Sequence, residues 1–583
     1  MERFNSNESW KRIIYTKNAH NSPKPNYLCI DKKLNIMKKN LLLLFSVLFS
    51  LNLLAQWTDD SLTNSVICNA AGDKGVPKIS LLSDNGCYIS WYGGASNYDI
   101  NLQRLDFAGN ILWQENGIVV SNHPQETWVT DFDMKSDNND NAVIVFNDIR
   151  NGNWDVFVYK ISPGGEQLFG ENGQAAGDSP VADMTPRVCV TSDNSVIIAW
   201  MREGVENISM IMQKFDSQGN KLWEVSGREL SMAGASVKWP YLQPTDDGGF
   251  ILGYFVETGP FWAPDKLMYA MRYDYDGNAV WDNPVELCGA TGITAWEDYK
   301  AIPDGNNGMI AFWQDDIDNN TLFNASVQHV LADGTLAFPA NGVELATTSS
   351  FNHYYDYATG LTSGGEIMVF WAQADGNQNY NGLMGQKISP EGVRLWGDEG
   401  LELIPMNSTF RFIQATAFKN DTSFLVYEDS ENYLVKAINT DGDEVWTEDT
   451  PLSLSPSSKM APAGTSMAAD QVVIAWIDEQ NSEKNVKAQN FLINGKLGQV
   501  ETGIKPINKA NKPFKLSGTL LLVNYTGLLQ LNIYDGMGRL CEQFLTQGNT
   551  EINLQNLANQ LYIIVAMNEK GETLQTLKTV TGK

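Results

Sequence analysis

Two short patterns run through the chain in step. The first is a turn phrase, read as "LDFAGNILW" (105–113), "FDSQGNKLW" (215–223), "YDYDGNAVW" (273–281), "ISPEGVRLW" (388–396) and "INTDGDEVW" (438–446). Its glycine falls at Gly109, Gly165, Gly219, Gly277, Gly334, Gly392, Gly442 and Gly495, at intervals of 50 to 58 residues. The second is an apolar run ending in an aromatic residue, such as "CYISWY" (87–92), "VIIAWM" (196–201), "MIAFWQ" (309–314) and "VVIAWI" (472–477). Two landmarks sharing one period define an internal repeat of roughly 55 residues, present eight times.

Each unit has the same grammar. A first strand, as in "VPKISLL" (76–82), leads through a turn into the apolar run. An unbroken apolar run suits a strand buried on both faces. A polar loop follows, then an alternating strand such as "VFVYKI" (156–161), then the turn phrase and a fourth strand. No long stretch of helical period with caps occurs between 56 and 500. The fold class is therefore all-β, a β-propeller of about eight four-stranded blades. A seven-bladed ring with one odd unit, or two smaller propellers, are the alternatives. "NSVICN" (64–69) reads as the fourth strand of a unit whose other three lie at the end of the repeats. Pairing the two would close the ring and remove two sheet edges.

The recurring glycine supplies the positive backbone angle of a tight turn. Trp113, Trp223, Trp281, Trp396 and Trp446 then stand where a large ring packs between blades. The phrase resembles the Asp-box of sialidase-like propellers. It departs from it in having four residues from Gly to Trp rather than three, and no preceding Ser-x-Asp. It is read as a structural turn, with no sialidase chemistry attached.

The formal net charge of -28 argues against a nucleic-acid partner, because such a surface repels phosphate. The four histidines, His20, His123, His329 and His353, are scattered, which leaves little material for a zinc or Ser-His-Asp site. The six cysteines are also scattered, so the chain is not a disulfide scaffold. Cys68 and Cys87 pair only if their strands are adjacent; otherwise they are buried thiols.

Acidic residues gather in the polar loops after the second strand: Asp148, Asn153 and Asp155; Asp315, Asp316 and Asp318; Glu428 and Asp429; Asp478 and Glu479. Blades oriented alike would place these loops on one face. "DGNQN" offers Asp375, Asn377 and Asn379 at calcium-loop spacing, and "DNNDN" (137–141) does the same, though neither continues as a full EF-hand loop. Calcium is thus the one cofactor these residues raise; no other is implied. Aromatics in "GPFWAPD" (259–265) and "NHYYDY" (352–357) either stack on a sugar or peptide or pack between blades, and packing is the expectation.

The two ends carry different information. "MKKNLLLLFSVLFSLNLLAQW" (37–57) reads as a secretory signal peptide with cleavage between Ala55 and Gln56, and 1–36 as an upstream extension that is not native. The propeller spans 56–499 and a Lys/Pro/Asn-bearing linker spans 500–513. In 514–583, the segments "IYDGMGR" (533–539) and "INLQNLANQLYIIVA" (552–566), a polar turn at 569–571 and the terminal position carry a resemblance. They resemble the type A C-terminal sorting domain of the type IX (Por) secretion system of Bacteroidetes, with Tyr534, Asp535, Gly538, Arg539 and Tyr562 as the matching motif residues. The Pro-Asn-Pro-like opening of that family is replaced by "NKPFKLSG" (511–518), and Gln560 stands where its glycine usually does. The resemblance implies a small Ig-like β-sandwich, type IX secretion machinery as a partner, and a secreted or cell-surface location.

Three functional readings follow. The first is a non-enzymatic binding or adhesion module for an extracellular glycan or protein. The second is a secreted carbohydrate-active hydrolase or lyase using carboxylates. The third is a structural spacer of a surface assembly. The absence of a recognisable catalytic constellation ranks the first ahead of the second.

Overall fold

The structure is a computed structural model. It describes residues 57–583 except 95–96, 126–130, 178, 261, 321, 348–351, 378, 467–469, 499–513, 518, 536–538, 556, 558–560, 569–572 and 581–583. The readings of 1–36, of the signal segment with Ala55 and Gln56, of the linker, of Gly538 and of the turn at 569–571 lie outside the described residues.

Eight four-stranded antiparallel sheets follow one another along the chain. Blade 1 comprises Asp73–Leu81, Cys87–Gly94, Asp99–Leu105 and Ile118–Ser121. Blades 2 to 7 repeat this order over 133–175, 183–230, 236–288, 300–344, 352–407 and 410–453. Blade 8 takes Ser458–Ser466, Gln471–Gln480 and Glu483–Leu492 from the end of the repeats and Ser65–Cys68 from the beginning. Ser65 pairs with Ala488, Val66 with Lys487 and Cys68 with Val486, so the ring closes as the orphan strand predicts.

The second strands are buried along their central residues, and over their whole length in Ala142–Asp148 and Met309–Asp315. Their terminal aromatics Trp91, Phe146, Trp200, Tyr254, Trp313, Trp371, Tyr427 and Trp476 form one buried position repeated around the ring. The turn aromatics lie at the seams between blades. A Cβ on Gly334 would meet the Trp281 ring of the preceding blade at 3.0 Å, and Trp281 Nε1 donates to Ala332 O at 3.0 Å. Phe169 against Gly219 and Phe338 against Gly392 do the same where the chain has no Trp. The turn phrase does not lead directly into the fourth strand. It makes a one-bridge hairpin of its own, such as Leu105 with Ile111, and a short fourth strand begins later, at Ile118 in blade 1.

The first strands carry a feature absent from the sequence reading. Four contain a bulge at an X-Pro pair, and the residue before proline has positive φ: Val76 (48°), Thr185 (52°), Trp239 (57°) and Ala461 (48°). Proline has no N–H to give the ladder, so a bulge is where it fits a strand. The positive φ is strained, most of all for β-branched Val76 and Thr185.

Cys68 and Cys87 lie in one apolar cluster and are both free thiols. Among the described residues no helix is long and apolar enough to cross a membrane.

The terminal unit is all-β as expected, a five-stranded sheet curled nearly into a barrel. The reason is the 16-residue strand Leu520–Asp535. One edge pairs with Leu540–Asn553; the other pairs with Phe514–Ser517 and then Leu561–Asn568. A bulge between Tyr525 and Leu528 bends it. Its core, including Phe514, Leu531, Ile533, Tyr562 and Ile564, is its own. Asp535 and Arg539 close the hairpin tip: Arg539 N donates to Asp535 Oδ1 at 3.0 Å and Nε to Oδ2 at 2.8 Å. Tyr534 is half-buried.

Candidate functional site

Strand direction alternates within a blade, so the loops after second strands share one face of the ring with the blade-to-blade connections. The turns between strands 1 and 2, and the turn phrases, lie on the opposite face. The two calcium-like runs are thereby separated. "DNNDN" is a turn between first and second strands, whereas Asp375 follows a second strand.

Neither run presents an open set of oxygens. Asp375 Oδ1 accepts the N–H groups of Asn379 (2.6 Å) and Tyr380 (2.9 Å), and these bonds, with one from Asn377, hold its carboxyl below the usual range. Asn377 and Asn379 are exposed. In the other run, Asp137 accepts from Asn139 N, Asn141 N and the buried Lys160 (2.8 Å), while Asp140 latches the neighbouring blade through Ser83 N at 2.7 Å. Among the described residues no group of three His, Cys, Asp or Glu side chains is placed to hold a metal ion.

The acids at the ends of second strands do not converge either. They stand one strand out from the channel and are engaged near their own loops. Asp148 is held by Arg150, whose guanidinium lies over Phe157, and Asp478 by Lys487 (2.9 Å) and Ser457 (2.6 Å). Asn153 donates to Val181 O, Asp155 accepts from Asn151, and Asp316 accepts Asn320 N. Asp315 is fully buried. Burial pushes its carboxyl up to about 6, against bonds from Ser326, Ile317 N and Trp313 Nε1. Glu428 is also raised by burial.

A different cluster does converge, on blades 4 and 5. Glu257, 6 % exposed, is the penultimate residue of the second strand of blade 4, which runs longer than those of blades 3 and 5. Lys238, beside the strained Trp239, reaches Glu257 Oε2 at 2.7 Å, and Trp239 Nε1 donates to Oε1 at 3.1 Å. Lys266 is opposite Glu257 in the ladder and lies 3.9 Å from Oε1. It is wholly buried, over the Phe255 ring, and burial pushes its ammonium down to about 8 against the pull of Glu257, Glu297 and Asp298. Lys266 also donates to the carbonyls of Ala295 and Glu297, and Glu297 pairs with Lys300 at 3.7 Å. Lys238, Glu257 and Lys266 thus form a run of alternating charge on blade 4, tied to the connection into blade 5 by the Lys266 bonds to backbone carbonyls.

Three aromatic residues lie on the loops of this face in blades 4 and 5. Trp262, four residues before Lys266, is 73 % exposed. Trp296, whose flanking carbonyls hold Lys266, is 51 % exposed and meets the half-buried Phe323 edge-on at 5.6 Å. The expectation that "GPFWAPD" packs between blades is corrected for Trp262, whose ring is largely exposed. The side chains of His353, Tyr354, Tyr355 and Tyr357 lie outside the described residues. Sequence reasoning missed Glu257, Lys266 and Glu297 because none belongs to the repeat. A signal was present in "AWEDYK" (295–300), two aromatics and two acids ahead of a first strand.

A second charged group lies on first strands. Asp131 sits between Lys78 of blade 1 (2.8 Å) and Arg187 of blade 3 (3.7 Å).

No family model matches the chain, and no curated protein matches it. Among solved structures, it is similar to a PL25 ulvan lyase, a polysaccharide lyase bound to a GlcA(1-4)Rha3S unit, at 11 % identity and a TM-score of 0.41, over 74 % of this chain and 97 % of that one. The polysaccharide lyase Uly1 gives 10 % and 0.38 over 75 % and 99 %. The α-L-arabinofuranosidase Arb93A of Fusarium graminearum gives 10 % and 0.30 over 54 % and 96 %. None of these proteins lends a residue assignment to this chain.

Proposed function

We propose that the protein engages an extracellular polysaccharide on the loop face of blades 4 and 5. The observation that carries this reading is the exposure of Trp262 and Trp296 on loops of one face, with Trp296 held by flanking carbonyls that accept from the buried Lys266. Exposed tryptophan faces accept the apolar faces of sugar rings, and a rigid anchor lowers the entropy cost of holding them. We place the carbohydrate-active reading ahead of plain adhesion. Glu257 and Lys238 are a close acid–base pair, and the adjacent buried lysine with a displaced pKa marks a site candidate. Lys266 and Trp239 are positioning residues; Glu257 and Lys238 are the groups assigned to proton transfer.

Binding without cleavage is the second reading. It is favoured by the pairing of both Glu257 oxygens. One experiment separates the two. The protein is incubated with neutral and acidic polysaccharides, and retention, new reducing ends and the ultraviolet absorbance of unsaturated uronates are followed. Trp262→Ala and Trp296→Ala should each weaken retention about three- to tenfold. Glu257→Gln should remove cleavage but keep retention. Retention that ignores both tryptophans sinks the reading.

Export is part of the proposal. Cleavage between Ala55 and Gln56 and routing of 514–583 through a type IX translocon would place the ring at the surface or in the medium. A reporter fused to 500–583 should cross the outer membrane; one that stays periplasmic overturns the routing.

A further inference from the structure

Three lysines of the ring clasp a blade-to-blade connection in the same way. Lys74 donates to the carbonyls of Ala70 and Gly72, and Lys459 to those of Ser455 (2.8 Å) and Ser457 (3.2 Å). Lys266 donates to Ala295 O (3.4 Å) and to Glu297 O, again two carbonyls separated by one residue. All three lysines are buried. With both carbonyls turned toward the ammonium, the residue between them faces out: Ala71, Pro456 and Trp296 are exposed.

The clasp at Trp296 differs in the origin of its lysine. Lys74 and Lys459 stand in the strand that follows their own connection. The corresponding position after Ala295 is Tyr299, whose hydroxyl donates instead to Tyr269 O at 3.0 Å. Lys266 comes from the third strand of blade 4, Asp265–Tyr273, so this clasp joins two blades. Of the three it is the one that sets a large ring outward.

We propose that Lys266 is a proton-sensitive latch on Trp296: its ammonium draws the carbonyls of Ala295 and Glu297 onto blade 4 and turns the indole out, and loss of the proton lets the connection relax. The latch rests on the polysaccharide reading only for its consequence, control of retention by pH. A charged donor makes hydrogen bonds about twice as strong as a neutral one, and a neutral amine also loses the pull of Glu257. The charged groups around the ammonium are Lys238 on the first strand, Glu257 on the second, and Glu297 and Asp298 in the connection, with Lys300 paired to Glu297. Burial outweighs the acids and brings Lys266 down to about 8, so its proton leaves where ordinary lysines stay charged.

The test labels the full chain with 5-fluorotryptophan and assigns the Trp296 fluorine resonance by its loss in Trp296→Phe. In the parent this resonance should move with a midpoint near pH 8. It should not move over the same range in Lys266→Arg, which stays charged. Lys266→Gln, with no proton to lose, gives the same reading should arginine not fit the buried seat. Retention on immobilised laminarin and pectin should fall about two- to fivefold in the parent as the proton leaves, the range a weakened hydrogen bond supplies, and stay level in Lys266→Arg. A Trp296 resonance that is constant in the parent, or that titrates unchanged in the variants, overturns the latch. Retention that stays level in the parent while the resonance moves overturns the control of binding. A resonance that titrates as expected with no retention at any pH upholds the latch and overturns the polysaccharide reading instead.

Discussion

Trp57 lies flat against Gly109, more than fifty residues ahead in the chain. A Cβ on that glycine would come within 2.5 Å of the indole, whose Nε1 donates to Phe107 O at 3.1 Å. Trp113 makes the same bond to Pro163 O, and Trp446 to Ile493 O. The bond from Gln489 to Thr58 O (2.7 Å) matches those from Gln103 to Gln114 O and from Gln213 to Glu224 O. Trp57 and Thr58 therefore occupy the aromatic position and the one after it in blade 8, whose own turn lacks the tryptophan.

Removing that ring should open the seam. Trp57→Ala is expected to cost about 3–5 kcal/mol. Deleting 57–70 should cost more, because it also bares the edge of Glu483–Leu492. Urea unfolding measures both. Gly109→Ala should be destabilising as well, since φ is +83° and the indole occupies the space. Unchanged midpoints in all three would refute closure through Trp57.

Asp315 sets a pH dependence. Its carboxyl is raised from 3.8 to about 6 in the folded chain. Below about pH 4 both states keep the proton, and the group has no effect. Between about 4 and 6 the unfolded chain ionises first, so stability falls as pH rises. Above 6 the loss levels off at about 3 kcal/mol. Asp315→Asn should flatten this part of the profile and gain stability at pH 7 relative to pH 4. Parallel profiles of variant and parent from pH 4 to 7 would contradict it.

Lys160 and Asp137 form a buried ion pair at 2.8 Å, with the side chains 2 % and 0 % exposed. Lys160→Met leaves a buried carboxylate without its counter-charge and should cost about 3 kcal/mol. Adding Asp137→Asn should recover part of that loss. A double variant whose cost equals the sum of the singles would show that the two groups do not act as a pair.

The terminal sheet should be dispensable for the ring. Its core shares no residue with the blade clusters. Deletion of 514–583 should leave the propeller's melting transition within about a degree or two, consistent with independent domains. A large drop, read by calorimetry, would mean that the sheet supports the blades.

How much of this was legible before the fold was known depends on the distance over which each feature is encoded. The buried second strands are written locally, because a run such as "AVIVFND" or "MIAFWQD" leaves no polar face to turn outward. The glycine of the turn phrase announces its positive φ, and the partner it needs is always one period away. Repetition reveals that partner without a structure. Eight units and the orphan Ser65–Cys68 then imply a closed ring, since an open one would leave two unpaired edges.

Convergence of side chains is not encoded at that range. Asp148 and Asp478 look available in the sequence, yet Arg150 and Lys487 bind them. Glu257, Lys266 and Glu297 look unremarkable, yet they meet, because the ladder puts Glu257 opposite Lys266 and the passage to blade 5 brings the Glu297 carbonyl onto its ammonium. In the terminal sheet, alternation predicts strands but not whether a 16-residue strand pairs along both edges or belongs to one of two layers. The repeat period thus determined the ring by itself, since burial and turn geometry act within a few residues. The charge network and the curl of the last sheet were decided by tertiary structure, because each depends on how separately folded strands meet.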